Sequence, residues 1–106
     1  MAFAENLKKI PPVSNVEKLE LLRPNGDVEA MIENRSGQSG SLAVYCYLAS
    51  KYGMVNADAA REGLELYAEH RDEAMINPEK HPHIERLIRI RDQNLRFTVR
   101  VTNRTK

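Results

Sequence analysis

A chain of 106 residues with 42% hydrophobic and 29% charged side chains has the make-up of one small domain, 1–106, able to bury a modest core without staples. No apolar run approaches the roughly 20 residues of a membrane span, the N-terminus lacks the layout of a secretory signal, and the one cysteine, Cys46, has no partner for an internal disulfide. These exclusions point to a reducing cytoplasm as the expected location, and the net charge of +1 is the balance of unequal segments.

Phe3, Leu7 and Ile10 lie at helical spacing, so Ala4 to Ile10 is expected to form a short amphipathic helix that lids the core and ends at Pro11-Pro12. Val16 to Arg23 and Asp27 to Glu33 read as a β-hairpin. Leu19 and Leu21 alternate with charged residues, as do Val28, Ala30 and Ile32 with Glu29, Met31 and Glu33. The join, Pro24-Asn25-Gly26, supplies a preset first turn residue and a glycine free to turn left-handed.

Ser41 to Tyr52 is expected to be helical, with Gly53 as its stop. Leu42, Ala43, Val44, Tyr45, Cys46, Tyr47, Leu48 and Ala49 leave it almost no polar face. Such a helix is either central to the core or covered by a partner subunit. Cys46 within it reads as a small buried hydrophobe. Asn56 is a plausible N-cap for a second helix running to about Met75, with Ala60, Leu64, Tyr67 and Ala68 inward and an acidic flank. Gly63 in its middle implies close contact with another backbone. After the turn Asn77 to His83, Pro82 suits the first position of a third helix carrying Ile84, Leu87 and Ile88. A strand over Leu87 to Arg91 is the competing assignment, and helix is preferred. Leu95, Phe97, Val99 and Val101 alternate with Arg96, Thr98, Arg100 and Thr102, a half-buried strand. The order predicts an α+β fold: a small three-stranded, mostly antiparallel sheet, N-terminal hairpin plus C-terminal strand, packed by about three helices.

Charge is distributed unevenly along this layout. Ala57 to Glu79 holds two basic and seven acidic residues, a net −5, and Lys80 to Lys106 holds eight basic and two acidic, a net +6. Segregation of this kind implies an anionic partner, or acidic and basic parts that face each other within the fold or a dimer. The near-zero total favours the second. Arginines on the last strand are expected beside the hairpin face carrying Glu20, Glu29 and Glu33.

The segment Asn34 to Ser41, with Gly37 and Gly40 among hydroxyls, an amide and Arg35, is the one whose composition suggests chemistry. Its residues Arg35, Ser36, Gly37, Ser39, Gly40 and Ser41 could present N–H groups to an anion at a helix N-terminus, or form an ordinary capped connection. It lacks the lysine of a P-loop and the glycine set of a dinucleotide fingerprint. His70, His81 and His83, with Glu69 or Glu79, lack a familiar metal-ligand spacing and read as surface histidines flanking a turn. The C-terminal arginines raise nucleic-acid binding, but an acidic would-be recognition helix and a shortage of aromatic residues on the basic strand count against it.

Three strings resemble a small bacterial family of uncharacterised proteins: Ile32-Glu33-Asn34 leading into Gly37 to Tyr45, Leu66-Tyr67-Ala68-Glu69-His70, and His81-Pro82-His83-Ile84-Glu85-Arg86-Leu87. The resemblance spans nearly the whole chain and implies a free-standing bacterial protein; it brings no activity, cofactor or catalytic residue.

The expected function is non-enzymatic: association with a protein partner or with a second copy, through Tyr45, Tyr47, Arg96 and Arg100. The alternative is a small-anion or nucleotide-phosphate binder at the Gly37–Ser41 loop. Nucleic-acid binding through the basic end comes third. No catalytic residue, metal ligand, cofactor or membrane contact is assigned.

Overall fold

The computed structural model describes residues 2–104. Val16–Leu22 forms β1 and Val28–Glu33 forms β2, antiparallel, with Leu19 opposite Ile32 and Leu21 opposite Ala30. The expected turn joins them. Gly26 takes φ +94° and its N–H donates to the Arg23 carbonyl at 2.8 Å, while Asn25 Oδ1 accepts from the Asp27 N–H at 2.9 Å. Thr98–Asn103 forms β3 and pairs antiparallel with the other side of β1, so the strand order is β2-β1-β3. The strand starts later than the alternation suggested. Leu95 precedes it, and Phe97 instead exchanges two 3.0 Å backbone hydrogen bonds with Val55, pinning the end of the sheet to a helix connection.

Five helices accompany the sheet: α1 (Ala2–Leu7), α2 (Ser39–Tyr52), α3 (Ala57–Tyr67), α4 (Glu69–Ile76) and α5 (Pro82–Gln93), with a 3₁₀ turn over Pro78–Lys80. The arrangement is α+β. Helix α2 explains its own composition: Leu42, Val44, Tyr45 and Leu48 are fully buried, and its neighbours are β1, β2, α1 and α3. Each such side chain contributes roughly 1.5–3 kcal/mol by leaving water. Its cover therefore comes from this chain's own elements. Helix α5 settles the choice over residues 84–91, with Pro82 in its first turn and Ile84, Leu87 and Ile90 inward.

Three expectations are corrected. The first helix ends at Leu7, short of Ile10, which is buried beyond it. The long helix expected from Asn56 to Met75 is two helices. Asn56 caps α3 as expected, accepting from the Ala59 N–H at 2.9 Å, but Ala68 at φ +51°, ψ −117° breaks the run. A straight helix would carry the inward stripe of Ala60, Leu64 and Tyr67 on to Arg71, a charge facing the core. The break avoids this, and α1 occupies it: Asn6 Nδ2 donates to the Leu66 carbonyl at 3.0 Å and the Phe3 N–H to Glu69 Oε1 at 3.1 Å. Finally, Gly63 is close to side chains rather than backbone. A Cβ there would lie 2.8 Å from Leu48 Cδ1 on α2 and 2.8 Å from Leu87 Cδ1 on α5.

The acidic flank of α3 clamps α2. Glu62 Oε1 accepts from Tyr52 Oη at 2.6 Å and Lys51 Nζ at 2.8 Å, and Oε2 accepts from Tyr47 Oη at 2.7 Å. These donors hold the Glu62 carboxyl down to about 2, led by the lysine.

Candidate functional site

The glycine-containing connection between β2 and α2 is tied down mainly from behind. Asn34 Nδ2 donates to the carbonyls of Val13 and Val16 at 2.9 and 2.8 Å. Gly37 takes φ +87°, and the N–H groups of Gln38 and Ser39 both donate to the Arg35 carbonyl at 2.9 and 3.0 Å. Leu42 then closes the first helical turn onto Gln38. The amides of Gly40 and Ser41 find no hydrogen-bond acceptor among the described residues, and the N-cap residue, Gln38, supplies no side-chain bond. The N-terminus of α2 thus keeps part of its donor set and the positive end of its dipole.

Gly37, Ser39, Gly40 and Ser41 line a cleft of about 530 Å³. Its other walls come from distant parts of the chain: Phe3 and Leu7 of α1, Tyr67 of α3, His70 of α4, and Lys80 to Ile84 at the start of α5. Among the described residues, no aspartate or glutamate lines it. Arg35 and Ser36, expected in the same site, lie outside the lining; Arg35 is instead exposed and paired with Glu33 at 3.1 Å.

The histidines flanking the turn converge here. The His70 ring meets Phe3 edge-on at 5.0 Å and sits 6.2 Å from the ring of His81. Nε2 of His81 is shielded from solvent, lies 3.1 Å from Glu73 Oε1 and makes no hydrogen bond among the described residues. Contact with His81 holds the Glu73 carboxyl below its usual range. His83 is lowered to about 4, first by burial and then by the Arg86 guanidinium. Arg86 Nη1 stands 3.0 Å from His83 Nδ1; arginine only donates, so Nδ1 accepts and the ring proton resides on Nε2. Among the described residues, no group of three or more His, Cys, Asp or Glu is arranged to hold a metal ion.

Two tyrosine hydroxyls at and behind the cleft are committed to structure. Tyr67 Oη donates to Ser41 Oγ at 2.6 Å, and burial pushes the Tyr67 phenol well above its usual range. Tyr45 Oη donates to the His83 carbonyl, and burial raises Tyr45 to about 12.

Of the four residues expected at an association surface, Tyr45 is fully buried and Tyr47 spends its hydroxyl on Glu62. Arg100 pairs in register with Glu20, Nε to Oε1 at 2.9 Å, while Arg96 is exposed. Glu29 and Glu33 lie on the far strand and take Arg23 and Arg35 instead. The Cys46 thiol is raised to about 11 by burial, far from a reactive range.

The convergence of the loop with the histidine turn escaped the sequence because some forty residues separate them and neither segment carries a periodic signal. The searches for relatives match neither a curated protein nor a solved structure. Over residues 3–101, however, the sequence fits the pattern of one bacterial family, and the chain belongs to it: the uncharacterized proteins conserved in bacteria grouped as DUF2322.

Proposed function

We propose that this cleft binds a small anion. One observation carries the reading: the amide-bearing start of α2 and the Lys80–His83 turn meet in a cavity that no carboxylate of the described residues lines. The ammonium of Lys80 and the free N–H groups of Gly40 and Ser41 complement negative charge. The function is binding without turnover. The group next to the Ser41 hydroxyl is a phenol that keeps its proton and donates it to that hydroxyl, so it does not serve as the base that would activate Ser41. Titration with inorganic phosphate, followed by ¹⁵N amide spectra, tests it. The Gly37, Ser39, Gly40 and Ser41 signals should move together and saturate, and a Lys80→Gln variant should bind more weakly. Unmoved loop amides would dismiss the site.

Self-association is the second reading, favoured by apolar exposure on an edge strand. Val28 and Met31 of β2 are 47% and 44% exposed beside unpaired backbone. Sedimentation equilibrium at micromolar concentration should then show a dimer that Met31→Lys disperses; a monomer at all concentrations removes this reading. A raised thiol and the lack of any cysteine partner suit a reducing cytoplasm for either function.

A further inference from the structure

We infer that the ligand of the cleft is a small organic anion, a phosphate or carboxylate head on a ring-sized apolar body, and not a bare inorganic ion. The inference rests on the anion-site reading and narrows it. A cavity of about 530 Å³ falls within the range of small-molecule sites, roughly 300–1,000 Å³, and far exceeds what a free phosphate fills. Its lining also divides by chemistry. Ser39, Lys80 and the first-turn amides of α2 are suited to a charged head. Phe3, Leu7, Tyr67 and Ile84 are suited to something else. The Phe3 and Tyr67 rings stack at 5.2 Å with 13° between their planes, and His70 stands edge-on to Phe3. A bare ion gains nothing from these groups and loses water against them. A planar apolar body gains buried area and ring contacts.

The wall abuts the start of α2. Phe3 and Leu7 belong to α1, none of whose residues is buried, and both side chains approach Gly40, where a Cβ would meet Phe3 at 3.4 Å and Leu7 at 3.5 Å. An alanine at 40 would make ordinary contact with this wall, and a side chain longer than alanine would extend toward it where the helix presents its amides.

The test compares inorganic phosphate, phenyl phosphate and benzoate by ¹⁵N amide titration at pH 7. Phenyl phosphate should bind at least about tenfold tighter than inorganic phosphate, the gain expected for burying one ring. Its ring protons should give nuclear Overhauser contacts to the side chains of Phe3 and Ile84. Phe3→Ala should bring the ratio of phenyl phosphate affinity to inorganic phosphate affinity down to about one. The variant's amide spectrum reports that it is folded, and the contacts in the unaltered protein stand independently of it. Benzoate binding with the same contacts extends the head group to carboxylates; its failure beside phenyl phosphate assigns phosphate. If phenyl phosphate and inorganic phosphate bind equally while moving the loop amides, the organic-anion inference is overturned and the anion site stands. Tighter phenyl phosphate binding without contacts to Phe3 overturns it as well. If none of the three moves the loop amides, both fall together.

Discussion

Replacing Glu62 by glutamine tests the clamp between α2 and α3, and its size follows from the geometry. Three donors converge on this carboxylate from Tyr47, Lys51 and Tyr52 at 2.6–2.8 Å, and the lysine Nζ also sits 5.8 and 5.7 Å from the two ring centres. Together they lower the Glu62 carboxyl from 4.5 to about 2, a preference for the charged form of about 3 kcal/mol at most. The side chain keeps 21% of its exposure, and solvent screening brings the expected loss in Glu62→Gln to about 1–2 kcal/mol. For a domain of this size that is a drop in Tm of about 5–10 °C. The sign with pH is fixed by the direction of the shift. A carboxyl depressed in the native state stabilises it fully above the unfolded value of 4.5, and that stability is lost as pH falls toward 2. Urea unfolding of both proteins should thus show a gap at pH 7 that shrinks by more than half near pH 3. A gap of the same size at both pH values would mean that Glu62 titrates as an ordinary surface acid, and the clamp would then be a contact without electrostatic weight.

Ala68→Gly should stabilise the protein by about 1 kcal/mol in urea unfolding, because alanine is strained at φ +51°, ψ −117° and glycine is not; a loss would mean that the break carries no strain. Gly63→Ala should cost about 1 kcal/mol despite alanine's better helix propensity, since Leu48 and Leu87, each 2.8 Å from the new methyl, are fully buried and have little room to move. The His83 ring should titrate in NMR near 4 with its proton on Nε2, and a midpoint near 6.5 would contradict its burial against Arg86. Because the native ring resists protonation, stability should fall as pH drops from 6.5 toward 4.

Those parts of the fold that depend on neighbouring residues were legible in the sequence. Pro24-Asn25-Gly26 sets its turn through local backbone preferences, and Pro82 and Asn56 mark helix starts by the bonds they forgo or supply. The break at Ala68 was not legible, since alanine is the best helix former and nothing beside it punctuates the chain. What ends the helix is α1, which reaches back from the other end of the sequence to take the Leu66 carbonyl. Register on the sheet sits between these cases. Alternation placed Arg100 on a solvent face, but only the central position of β1 put Glu20 opposite it and left Glu29 and Glu33 to other partners.

That pairing bears on where an anion is to be expected. The arginine-rich end gives the chain its strongest positive charge, yet Arg89, Arg91 and Arg100 each hold a carboxylate within 3.1 Å, those of Glu85, Asp92 and Glu20. Four acids of α3 and α4 likewise have a basic neighbour: Asp58 has Arg61, Glu62 has Lys51, Asp72 has Arg71 and Glu73 has His81. Surface pairs of this kind add little stability, but they screen part of the positive charge that a polyanion would use and leave Arg96 and Arg104 exposed. Lys80 has no ion pair among the described residues, and it lines the same cleft as the unsatisfied helix amides. Sites where local pairing lapses are where function concentrates. On that ground the cleft under α1, and not the basic end, is the place to look for a bound anion.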